Sequence, residues 1–155
     1  MADFLTEGFV VHEDCRFTFL ESVVILEVVR SALIEAEQGK CFYWGRPAKA
    51  AAEVDHFIPW SRHPDDGLDN LVLADRRCNG HKRDFLAAER HVGKWRERMV
   101  TIVPLLETVN WHRDERATVG VARAIYRRLP DGTPLWVEGK EFEPAGAGGW
   151  GELLK

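Results

Sequence analysis

Glu53-Val54-Asp55-His56-Phe57-Ile58-Pro59, then Leu68-Asp69-Asn70-Leu71-Val72-Leu73, then Arg77-Cys78-Asn79-Gly80-His81-Lys82 form the window on which the reading of this 155-residue chain turns. Residues 53–58 alternate weakly in polarity and read as a short strand that Pro59 ends. Residues 61–67, with Pro64, Asp65, Asp66 and Gly67, are polar and read as an exposed loop. Residues 70–73 are a second short apolar run. Residues 75–83 open a helix that the composition carries on through Ala87, Ala88 and Val92. Strand, loop, strand and helix in that order make one ββα unit.

The flanks read as scaffold. Leu20, Val23, Val24, Leu26, Val28 and Ile34 recur at helical spacing, with Glu21, Glu27, Arg30, Glu35 and Glu37 on a polar side, which predicts one long helix over 17–38. Gln38-Gly39-Lys40 supplies its stop. Cys41-Phe42-Tyr43-Trp44-Gly45-Arg46-Pro47 is an aromatic, turn-rich knuckle. Beyond the window, residues 95–109 are amphipathic and broken by Pro104. Residues 117–129 predict a last helix ending at Pro130-Asp131-Gly132. Leu135-Trp136-Val137 suits a small strand or clasp. From Glu143 on, Ala145-Gly146-Ala147-Gly148-Gly149 predicts a frayed tail. The expected organisation is a single domain over 1–155, α+β and mainly helical. It has a helical scaffold over 1–40, a helical extension over 95–140 and a flexible tail over 143–155.

Composition narrows the classes. Apolar content of 45% and charged content of 30% are ordinary for a globular domain. The first residues lack the layout of a secretory signal, and Glu27 and Arg30 interrupt the longest apolar region, so no membrane span is expected. Three widely spaced cysteines argue against a secreted disulfide framework and for a reducing cytoplasm. A net charge of −4 counts against a nucleic-acid binder. The charge is uneven, however: residues 1–40 carry eight acids against three Lys/Arg, and residues 41–100 carry eleven Lys/Arg against nine acids. The positive excess sits with the motif window.

The window's residue types suit a divalent cation and a phosphodiester. Asp55 is a hard oxygen ligand of the kind magnesium or manganese takes. His56 has the intrinsic pKa to accept a proton from water near neutral pH, and adjacent strand positions let acid and imidazole divide the two tasks. Asn79 could bring an amide oxygen to the same cation, and Asn70 can bridge two backbone segments by donating and accepting at once. Plainer readings stand beside these. Asp55 and His56 would serve as a strand-end cap, Asn79 as a helix N-cap, Lys82 and Arg83 as a solvated face, and Cys41 and Cys78 as buried thiols.

Taken as an ordered set, the three segments resemble the HNH endonucleases, with their ββα-metal fold, over roughly residues 41–85. The resemblance implies an HNH core at 41–85, with the long N-terminal helix and C-terminal helices packed around it. It implies a hydrolase that cuts DNA (or RNA) phosphodiesters, with His56 as general base and Asn70 orienting it. Asp55 and Asn79 would hold one divalent cation, Mg2+ or Mn2+, in a His-Asn-Asn variant. Lys82, Arg83 and His81 would contact nucleic acid. Many relatives hold a structural zinc with two Cys-x-x-Cys pairs; here Trp44 and Asp75 stand where two of those cysteines would be. Cys41 and Cys78 remain, so no structural zinc is expected. The rival reading is a degenerate domain that binds nucleic acid or a protein without cutting, and a protein partner could supply specificity.

Overall fold

Leu71, Val72, Leu73 and Ala74 have no exposed surface, and the strand they form divides the core in two. The computed structural model describes residues 19–48, 52–146 and 150–155; the expected helix start at 17 and Cys15 lie outside them. Strand β1 (Ala52–His56) pairs antiparallel with β2 (Leu71–Asp75), setting Val54 opposite Leu73, Asp55 opposite Val72 and His56 opposite Leu71. Opposed residues share a face of the sheet. Ala52, Val54, Leu71 and Leu73 therefore meet Val29 and Leu33 of helix α1 (Phe19–Ala36), together with Val103 and Leu106 of a 3-10 helix (Val103–Val109). Val72 and Ala74 face the other way, into a larger cluster with Phe42, Phe57, Trp95, Tyr126 and Trp136.

Helix α1 stops where its sequence suggested. Gln38 and Gly39 take φ values of 54° and 64°, and the Gly39 N–H donates to the Ile34 carbonyl at 2.7 Å, a left-handed C-terminal cap. Helix α2 (Arg76–Lys82) follows β2 without a linker, because extended Asp75 caps it by accepting the Arg77 N–H at 2.9 Å. It does not run on to Val92. Arg83, at φ 47°, ends it, and Ala87 forms a parallel bridge to Trp136. The Trp136 N–H donates to Leu86 and the Ala88 N–H to Trp136, each at 2.8 Å. A distant strand thus claims backbone groups that helical propensity alone would have kept.

Helices α3 (Glu89–Thr101) and α4 (Glu115–Arg127) follow, the second capped by Asp114, which accepts the Ala117 N–H at 2.9 Å. The last elements are a hairpin of β3 (Pro134–Glu138) with β4 (Glu141–Pro144) and a short α5 (Trp150–Leu153). The stretch expected to fray at 143–155 instead carries core residues. Ala145, Trp150 and Leu154 are buried in the larger cluster, where the Trp150 ring sits 4.6 Å from that of Tyr126. Its glycines disguise three anchoring side chains.

His91 of α3 gives this cluster a pH dependence. It is 3% exposed, its Nε2 donates to the Val137 carbonyl at 2.7 Å, and its ring stacks on Trp136. Burial holds its pKa down from 6.5 to about 4. Between those values the unfolded chain binds the proton and the folded one does not, so stability falls as pH drops through that window. Complete titration would cost about 3 kcal/mol. The melting temperature of the wild type should therefore fall more steeply from pH 7 to 4.5 than that of His91→Gln; equal slopes would refute this.

Candidate active site

His56 closes β1 and Asp55 precedes it, so their side chains leave opposite faces of the strand. Asp55 faces α2. Its Oδ2 accepts the Tyr43 hydroxyl at 2.6 Å and lies 3.2 Å from Lys82 Nζ, and its Oδ1 lies 3.5 Å from the same nitrogen. Lys82 has no exposed surface, and its ammonium also donates to the His56 carbonyl at 2.8 Å. Burial pulls the lysine pKa down, with Asp55 working against it. Burial, with Asp55 next, pushes the Tyr43 hydroxyl up, so it stays a donor. Lys82 therefore faces inward and locks α2 to β1, where a phosphate contact was expected. His81 and Arg83 stay on the exposed side of the helix end.

Asn79 sits one turn before Lys82. Its Nδ2 donates to Glu53 Oε2 at 2.9 Å, while Glu53 Oε1 takes Arg76 Nε at 2.7 Å. The Arg76 bond, helped by Asn79, holds the Glu53 carboxyl below its ordinary pKa. Two pairs, Glu53 with Asn79 and Asp55 with Lys82, thus bridge β1 and α2, and Glu53 and Lys82 enter as an acid and a cation that the motif alone did not place there.

His56 leaves by the other face. Its Nε2 lies 2.7 Å from Asp66 Oδ1, and its ring lies 5.3 Å from Trp60, whose indole is 51% exposed. Two sets of bonds fix the loop that carries Asp66. Asn70, fully buried, accepts the Ile58 N–H through Oδ1 at 2.8 Å and donates through Nδ2 to the carbonyls of Ile58 and Asp65, at 3.2 and 3.1 Å. From outside, Trp111 Nε1 donates to the Asp66 carbonyl at 2.8 Å. A Cβ on Gly67 would come within 2.9 Å of Asp65 Oδ2, so a larger residue there would need the Asp65 side chain to shift. Asp66 is visible in the sequence as half of an acidic pair, but its return to the histidine is seen only in the fold, in the 2.7 Å contact to His56.

The oxygens on the α2 side are of the type a hard cation takes, with the Lys82 ammonium already 3.2 and 3.5 Å from the two Asp55 oxygens. Asp55 Oδ1 has no partner nearer than the 3.5 Å Lys82 contact, and Asn79 commits its amide nitrogen to Glu53, leaving a carbonyl oxygen. Among the described residues, no group of three or more His, Cys, Asp or Glu side chains is gathered as a metal cage. An ion held here would complete its shell with water and phosphate oxygens, as magnesium commonly does.

Beside the middle of α2, Cys41 and Cys78 are buried and free, with their Sγ atoms 3.6 Å apart. The hydrogen bond between the two sulfurs lowers the Cys41 thiol to about 6 and pushes Cys78 up. Phe42 and Tyr43 enter the core, whereas Trp44 remains 36% exposed with the Arg46 guanidinium 5.9 Å from its ring centre. Beside it, a hollow of about 550 Å³ is lined by Cys41, Trp44, Arg46, Asp75, Arg76 and Arg77. Asp75 is occupied as the cap of α2.

Residues 45–88, spanning β1, the pinned loop, β2 and α2, match the family model of the HNH endonucleases. No curated protein matches the chain. The match supports the HNH family and nuclease activity in general. Helices with two small antiparallel sheets are an α+β arrangement consistent with an HNH-type fold. No helix among the described residues is long and apolar enough to cross a membrane.

Proposed function

We propose that the chain is a divalent-cation-dependent endonuclease that hydrolyses DNA phosphodiester bonds, with His56 as general base. The observation that carries this is the His56–Asp66 pair at 2.7 Å on a loop fixed by Asn70 and Trp111. A carboxylate on Nε2 makes that nitrogen the donor, so Nδ1 keeps the lone pair that accepts a proton from water. Asp55 and Asn79 would hold Mg2+ or Mn2+, which when bound polarises a phosphoryl oxygen and stabilises developing charge. Lys82 acts from inside, fixing the carboxylate and the His56 carbonyl together. Arg83 and His81 provide phosphate contacts from the exposed end of α2, and Arg46 and Arg77 extend the basic surface past its start.

Supercoiled plasmid incubated with purified chain and excess Mn2+ or Mg2+ should convert to nicked or linear form, and EDTA should stop it. Intact plasmid under every cation tested would refute the proposal. One observation favours a second reading, a binding module that does not cut: Asp55 already has Tyr43 and Lys82 as partners. Under that reading, calorimetric titration with Mn2+ gives no heat that Asp55→Asn removes, while the chain still binds DNA.

A further inference from the structure

The two sulfurs of Cys41 and Cys78 face each other, and Cys41 also has backbone hydrogen bonds at Tyr43, Trp44 and Asp75. Both thiols are free, both side chains are buried, and their Sγ atoms are 3.6 Å apart. One belongs to the knuckle and the other to the middle of α2, so the pair joins two elements far apart in sequence. The arginine-lined hollow beside Trp44 reaches Cys41 and gives a small solute a route to it.

We propose that Cys41 and Cys78 form a redox modification site at which a hydroperoxide converts the two thiols into one intramolecular disulfide. Cys41 lines the hollow and Cys78 does not, so Cys41 attacks first. Its sulfur bonds to one peroxide oxygen, the O–O bond breaks, and the departing oxygen leaves as water or alcohol after taking a proton. Cys78 then attacks the resulting sulfenic acid, the S–O bond breaks, and the hydroxyl leaves as water with the Cys78 proton. Two thiols and one peroxide become one disulfide, one water from the sulfenic hydroxyl, and one further water or alcohol from the departing peroxide oxygen. The sulfurs must close from 3.6 Å to about 2.05 Å. The bond would tie the knuckle to α2 directly beside Asn79.

The test uses the full chain with Cys15→Ser, which removes the third thiol, treated with equimolar hydrogen peroxide. Intact mass should fall by about 2 Da, as two hydrogens are lost. Peptide mapping should find Cys41 joined to Cys78, dithiothreitol should restore both thiols, and the oxidised form should melt at higher temperature. With Cys78→Ser added, dimedone should label Cys41. A chain that stays folded by circular dichroism yet gains oxygen on either sulfur without cross-linking, links to a second copy, or fails to react would overturn the proposal. So would stoichiometric zinc that shields the pair in the protein as purified. None of these readouts involves nucleic acid, so the site stands or falls apart from any nuclease activity.

Discussion

The His56→Ala chain should fold with an unchanged circular dichroism spectrum and nick plasmid DNA about 10²–10⁴-fold more slowly, the range a positioned general base contributes. The fold should tolerate the change because the side chain lies at the strand end, about a quarter exposed, and its partners Asp66 and Trp60 are exposed as well. Nothing in either buried cluster leans on the ring. Asp66→Asn should give a smaller loss, because the imidazole keeps its place on the loop but loses the carboxylate that fixes its tautomer. Nicking by the alanine variant at the wild-type rate would remove His56 from the mechanism, and with it the strongest argument for catalysis.

Lys82→Met should have the largest effect on stability, about 3–5 kcal/mol. Methionine matches the length of the lysine stem but leaves Asp55, 7% exposed, with Tyr43 as its remaining close partner. The His56 carbonyl also loses its donor. Total stabilities of domains this size are of order 5–15 kcal/mol, so the variant should unfold at a far lower urea concentration, with an unchanged denaturant slope. Adding Asp55→Asn should recover part of the loss, because the neutral amide removes the unpaired buried charge. A midpoint that hardly moves would mean that the ion pair does not lock α2 to β1.

How much of this could be read beforehand depends on the reach of each interaction. The strand–loop–strand–helix order, the placing of His56 at a strand end and the two-sided bonding capacity of Asn70 follow from local pattern and side-chain chemistry. The boundaries differ by only one or two residues at the strands. The inward turn of Lys82 follows from Asp55 across the β1–α2 gap, which spacing along the chain does not encode. The stop of α2 at Arg83 depends on Trp136 claiming the backbone around Ala87. Asp66 depends on Trp111 in the same way. In the tail, composition misleads: glycines suggest fraying, while Ala145, Trp150 and Leu154 fill the core.

The Tyr43 ring, whose hydroxyl holds Asp55, rests edge-on against Trp136 at 5.0 Å. The acid of the motif is therefore braced by the last strand pair, and the order of assembly follows. During synthesis the ββα segment leaves the ribosome long before β3 does, with its carboxylate clamp only half supported. Full rigidity arrives when the C-terminal hairpin docks, a long-range closure of the slow kind. A nascent chain would in this way hold Asp55 loosely until β3 and β4 have been made.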